Sequence, residues 1–187
     1  QGDHFGPFDA LIVALPAPQA HQLLIDCAPD LARRSQTIDY LPCWTVLADI
    51  PGEVSLAYDL IHDQDGIFEK IICNSSKPQR EGQTWVLQAS ADWTRQHLEC
   101  TGSDVAEILL ARFCQASGIE LNQVQLRSTH RWLYAQPSNA LGAGALWQAE
   151  LKLGVCGDWC LDGTLEGAYL SGQAAAGRLL GELAKAN

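Results

Sequence analysis

Apolar residues run almost unbroken from Phe8 to Leu15 ("FDALIVAL"), stop at Pro16-Ala17-Pro18, and give way to "QAHQLL", which reads as the start of a helix. A continuous apolar strand followed by a helix is the pattern of a strand buried in a layered α/β sheet. From about Cys43 to Ser90 the pattern changes. The runs "CWTVLADI", "VSLAYDLI", "GIFEKIIC" and "TWVLQAS" are short and β-rich, and Pro51-Gly52, Asp63-Gln-Asp-Gly66 and Glu81-Gly82 separate them as turns. This predicts an antiparallel meander. A helix is predicted next, from an N-cap at Ser103, with Asp104 and Glu107 in its first turn, through "VAEILLARFCQAS" to Gly118 as its C-terminal cap. The strands "QVQLRSTHRWLYA" and "LKLGVCGD" and a helix from Glu166 to Ala186 complete the chain. The fold class is therefore α/β, with an α+β character in its middle section.

Composition narrows the class of partner. The 187 residues are 47% apolar and 18% charged, enough for one good core or two small ones. With 22 acidic against 12 basic residues, the net charge of −10 repels a phosphate backbone, so nucleic acid is not an expected partner. The longest apolar runs are far shorter than a bilayer span, and Gln1-Gly-Asp-His-Phe5 lacks the basic start and apolar stretch of a secretion signal. No membrane association is expected, and a cytoplasmic home is the default. Seven cysteines, an odd number in a chain this apolar, read as small buried thiols rather than a disulfide framework. Methionine is absent, including from position 1, and a buried-looking strand begins almost at once; both features suggest a piece of a longer protein.

The stretch "GVCGDWCLDGTLEGAYLSG" (Gly154–Gly172) carries the candidate chemistry. A strand ends at Gly157-Asp158, and after a loop a helix begins on which Gly167, Ala168, Ser171, Gly172 and Ala175 form one face of small residues. A helix N-terminus presents unpaired N–H groups and a positive dipole end that suit a carbonyl or an anion. An acid at a strand end can accept hydrogen bonds from ligand hydroxyls. These features describe a shelf for a polar cofactor, and they equally describe a strand–loop–helix connection whose small residues pack against a sheet. Cys156 and Cys160 are separated by three residues, not the two of redox or zinc pairs, and no second Cys/His pair lies nearby, so they read as bystanders.

The run "CGDWCLDGTLEGAYLSGQAAAGRLL" resembles the C-terminal flavin-binding signature of the amine-oxidase superfamily, a Gly-Asp or Gly-Glu after a strand followed by a Gly-Ala-x-x-Ser-Gly helix. "FDALIVALPAPQAHQLL", "NSSKPQR", "TWVLQASADWTRQHL" and "HRWLYAQP" resemble, in order and spacing, its bacterial renalase-like branch. The resemblance implies FAD as cofactor. It implies that residues 1–25 and 129–187 belong to a partial Rossmann-like FAD-binding domain and that residues 26–128 form an antiparallel-sheet substrate domain. By the same resemblance, Asp158, with Gly157, would bond the ribityl chain or a nearby part of FAD. The backbone of Leu165, Glu166 and Gly167 would face the pyrimidine edge of the flavin, and Ala14 and Pro16 would lie near the cofactor. Trp132 and Tyr134, on alternate positions of one strand, could line a substrate pocket or be ordinary core aromatics. No acid, base or nucleophile is identified as catalytic.

The chain departs from the superfamily in lacking a strand-G-x-G-x-x-G-helix unit for the FAD pyrophosphate; Gly142-Ala-Gly144-Ala has no third glycine and follows a Pro-Ser-Asn loop. The expectation is a C-terminal portion of a flavin-dependent oxidoreductase, inactive by itself and poor at holding FAD. When complete, it would oxidise isomeric dihydronicotinamide dinucleotides, or alternatively an amine, with oxygen as acceptor. A non-catalytic binding or regulatory module, and an inactive fragment, are the other readings. His4, His21, His62, His97 and His130 show no ligand spacing, no metal is expected, and no Gly-x-Ser-x-Gly elbow supports a hydrolase. His130, beside Arg131, reads as a structural histidine that could also sit near the pocket, and Lys77 of "NSSKPQR" reads as a solvated loop lysine that could also lie near the substrate opening.

Overall fold

A computed structural model describes residues 6–52, 54, 56–62 and 66–185. His4, the predicted turn at Asp63-Gln-Asp except for Gly66, and the predicted helix end at Ala186 lie outside the described residues. In chain order the elements are β1 (Leu11–Val13), α1 (Ala17–Leu24), α2 (Pro29–Gln36), β2 (Tyr40–Asp49), β3 (Leu60–Ile61), β4 (Phe68–Cys73), β5 (Thr84–Ala89), α3 (Ala91–Gln96), α4 (Gly102–Ser117), β6 (Gln125–Pro137), β7 (Leu146–Gln148), β8 (Leu153–Val155) and α5 (Leu165–Lys185). The fold is α/β, as expected. Among the described residues, no helix is long and apolar enough to cross a membrane.

The chain divides into two units, residues Gln1–Tyr40 with Gln136–Asn187, and Leu41–Ala135. These divisions fall later than the expected 25/26 and 128/129. The first moves because α2, which the sequence reading did not anticipate, packs with α1: Leu31 and Ala32 are buried with Ala17, Ala20 and Leu24, and the His21 ring nitrogen Nδ1 lies 2.9 Å from the Ala32 carbonyl. Both helices begin with a proline in the first turn, where its missing N–H costs nothing.

In the first unit, β1 runs parallel to β8, with Leu11 opposite Leu153 and Val13 opposite Val155, and β7 pairs antiparallel on the far side of β8. Glycine is required in the middle of β8. Gly154 pairs with Trp147, whose ring lies 2.8 Å from where a Cβ would stand.

The second unit is a five-stranded sheet in the order β3-β4-β5-β2-β6. Inward positions alternate along β5 (Trp85, Leu87, Ala89) and β2 (Trp44, Val46, Ala48), and they bury against Val105, Leu109 and Phe113 of α4. The predicted meander is corrected here. β2 pairs with β5, Asp49 opposite Thr84, so the second run in sequence is not its neighbour. Among its described residues, the run "VSLAYDLI" contributes Leu60–Ile61 to the sheet, at its edge. Local alternation fixes which residues can be strand, whereas the choice of neighbour depends on which faces bury together. In α4 the N-cap is Thr101, whose hydroxyl accepts the Asp104 N–H at 3.2 Å, rather than Ser103; Gly118 caps the far end in the left-handed conformation, φ 74°, as expected.

Candidate functional site

The parallel pairing of β1 and β8 brings two distant segments together. Beyond Val13, β1 continues into Ala14, Leu15 and Pro16; beyond Val155, β8 continues into Cys156, Gly157 and Asp158, and Cys156 N donates to Val13 O at 3.0 Å. Residues 14–16 and 157–158 therefore share the carboxyl end of the parallel pair, the edge at which open α/β sheets take ligands. Ala14 and Leu15 are exposed, and Pro16, Gly157 and Asp158 are half-buried.

Trp159 fastens the two segments. Its ring is buried, and Nε1 donates to the Leu15 carbonyl at 3.0 Å. Gly157 N donates to Ser171 Oγ of α5 at 3.0 Å, so that amide is already used. Ser171 and Ala175 are fully buried, which places this part of the small-residue face in packing against the sheet. Asp158 Oδ1 accepts its neighbour's N–H, from Trp159, at 2.8 Å. A carboxylate has acceptor capacity beyond one such bond.

The start of α5 is built by side chains that the sequence reading passed over. Asp162 Oδ1 accepts from Thr164 N at 3.0 Å and Thr164 Oγ1 at 2.7 Å, and Thr164 Oγ1 in turn accepts from Gly167 N at 2.8 Å. A Cβ on Gly167 would fall 1.9 Å from Asp162 Oδ1, so this glycine makes room for the cap. Gly167 is buried and its N–H is taken, which leaves Leu165 and Glu166 to present the amides of the helix's open first turn. Leu165 is 90% exposed. The Thr164 bonds hold the Asp162 carboxyl below its usual range.

Tyr40 also escaped the sequence reading. Its hydroxyl accepts Ala17 N–H at 3.3 Å, and burial, reinforced by the negative charge of Asp158, pushes its pKa up to about 12. Cys156 and Cys160 are both free and buried. Burial raises both thiols, Cys160 to about 12 although a hydrogen bond with Ser171 pulls the other way. That is the direction opposite to the one a nucleophilic or metal-binding thiolate requires.

The remaining candidates are on other elements, although the Gly142 loop adjoins the strand-end loop, Gly142 N donating to Leu161 O at 3.1 Å and Ala143 N to Cys160 O at 2.8 Å. Gly142 and Gly144 adopt φ of 65° and 73° in a loop that leads into β7, a strand rather than a helix. Trp132 and Tyr134 sit on β6, in the stretch assigned to the second unit. Trp132 is 52% exposed with the His130 ring edge-on at 4.2 Å, and Tyr134 is half-buried. Arg131, on the opposite face, donates to the Leu98 carbonyl and lies over the Trp44 ring at 5.6 Å. Lys77 is exposed and bonds Asn74 Oδ1 at 3.0 Å.

Among solved structures the chain resembles a protein provisionally assigned as protoporphyrinogen oxidase from Exiguobacterium sp. 255-15, at a TM-score of 0.60 and 15% identity, over 94% of this chain and 41% of that one. It also resembles reduced UDP-galactopyranose mutase, at a TM-score of 0.45 and 14% identity, over 70% of this chain and 30% of that one. The chain thus spans less than half the length of either protein, and the first likeness is one of fold. The family model for flavin containing amine oxidoreductases matches residues 1–180, and on that match the chain belongs to the flavin containing amine oxidoreductase family.

Proposed function

We propose that this chain forms the flavin-facing end strands and one substrate-side sheet of an FAD-dependent oxidoreductase. The observation that carries the reading is the juxtaposition of Ala14–Pro16 with Gly157–Asp158 at the carboxyl end of the parallel pair β1 and β8. The groups present there fit the cofactor in kind. A carboxylate, Asp158, suits a ribityl hydroxyl, and the first-turn amides at Leu165 and Glu166 suit the carbonyl oxygens of the pyrimidine ring. Ala14 and Pro16 add small apolar surface, while Gly157 and Gly167 act as spacers for Trp159 and Asp162. The chemistry a bound flavin supplies is hydride acceptance from a substrate, with electrons passed on to oxygen.

The residues of this chain would orient the cofactor and exclude water; among the described residues none is assigned as a proton donor or acceptor. The renalase-like resemblance of "HRWLYAQP" and "NSSKPQR" favours isomeric dihydronicotinamide dinucleotides as substrates over amines, with Trp132 and Tyr134 as pocket candidates. The test is Asp158→Ala in the full-length protein, read by flavin fluorescence beside a melting curve. Loss of a charge-assisted bond weakens FAD binding by about one to two orders of magnitude. A folded variant with undiminished FAD affinity overturns the assignment. Turnover of the dihydronicotinamide isomers, compared with that of a panel of amines, decides the substrate class.

A further inference from the structure

A cavity of about 730 Å³ opens in the second unit, between the C-terminal half of α4 and the β3–β4 edge of the sheet, well within the size range of small-molecule sites. Its walls are apolar, with Leu56, Ile61, Phe68, Ile71 and Phe113 among them. Phe68, Ile71 and Phe113 are buried, so the cavity floor is part of the core. The polar groups that line it include one fixed positive charge and no negative one among the described residues. Arg112, Gln115 and His62 contribute, and among the described residues no acidic side chain does, in a chain that carries 22 of them.

Arg33, Arg95 and Arg127 each face a carboxylate. Arg112 instead donates to the Gln115 amide oxygen at 2.9 Å, and among the described residues it has no acidic partner. A guanidinium keeps its charge at any physiological pH and binds carboxylates in a planar fork. At the exposed rim of an apolar cavity, it favours a ligand with an apolar body and an anionic head. We propose that this cavity is a binding site for an amphipathic carboxylate, with the tail between α4 and β4 and the carboxylate at Arg112. The cavity is lined by residues of the second unit, whereas the strand-end residues proposed to face the flavin belong to the first.

The experiment titrates the full chain with sodium dodecanoate below its micelle concentration, by calorimetry, beside dodecyltrimethylammonium, which has a tail of equal length and the opposite charge. Saturable binding of one dodecanoate per chain is expected, with weaker binding of the cation in spite of the net charge of −10. Arg112→Gln, at an exposed helix position, is expected to weaken dodecanoate binding on the order of tenfold. Ala116→Trp, which fills the cavity from another exposed position, is expected to abolish it. Absence of saturable binding, equal or tighter binding of the cation, or dodecanoate binding that survives both substitutions overturns the proposal. Should Ala116→Trp fail to fold, Arg112→Gln and the cation comparison decide it alone.

Discussion

The indole of Trp159 lies where a side chain on Gly157 would have to stand: a Cβ there would be 2.8 Å from Nε1 and 2.9 Å from Cδ1. The same Nε1 holds the Leu15 carbonyl at 3.0 Å, so this contact, beyond the Cys156 N to Val13 O bond of the ladder, ties the segments that leave β1 and β8. Gly157→Ala is expected to push the ring from its bond and to lower stability by about 1–3 kcal/mol, the usual range for overpacking. Chemical denaturation measures the loss. A variant as stable as the parent would show that the indole has somewhere else to go.

The cap of α5 predicts a coupled pair. Gly167→Ala must displace the Asp162 carboxylate, and Asp162→Ala removes it, so both break the same bonds to Thr164. The double variant is expected to be about as stable as either single one, because the second change has nothing left to break. Thr164→Ala removes the acceptor for Gly167 N and should cost about 1 kcal/mol, as N-cap losses do. Additive effects of Gly167→Ala and Asp162→Ala in a double-mutant cycle would contradict the shared mechanism.

Alkaline pH should destabilise the first unit. Tyr40 is raised from 10.0 and Cys160 from 9.0, each to about 12, so the folded state holds protons that the unfolded chain releases. Their contribution is fully present below pH 9 and is lost progressively as pH climbs from about 9 toward 12. Melting temperatures across that range are expected to fall less steeply in Tyr40→Phe and in Cys160→Ala than in the parent. Identical slopes would mean that neither group titrates differently on folding.

Thiol labelling separates exposed from buried cysteines. Cys27 is exposed, whereas Cys156 and Cys160 are buried with raised pKa, so native protein at pH 8 should react first at Cys27. Cys156 and Cys160 are expected to label only under denaturant, as peptide mass mapping would show. Rapid labelling of either in the native state would return the pair to the list of reactive groups.

The sequence by itself determined what depends on local pattern. The apolar run of Phe8–Leu15 located a strand, although only Leu11–Val13 form it and only Val13 is buried, Leu11 being 51% exposed; the alternation at Trp85, Leu87 and Ala89 had to give a strand with one inward face, and Gly118 had to end α4, because only glycine enters the left-handed cap without steric cost. It also marked Gly157, Asp158 and Gly167 as unusual. What it could not supply was the reason for the glycines: Gly157 yields to Trp159 and Gly167 to Asp162, contacts visible only once the loop has closed on itself. Nor could it give strand order or the position of α2. Pairing β2 with β5 rather than β3, and setting residues 14–16 beside 157–158, are choices made by burial between segments far apart in sequence, and no periodicity along the chain encodes them. Tyr40 and Ser171 acquire their roles in the same way, because a hydroxyl at a strand start or on a helix face has no assigned partner until the fold places an amide within reach, at Ala17 for Tyr40 and at Gly157 for Ser171.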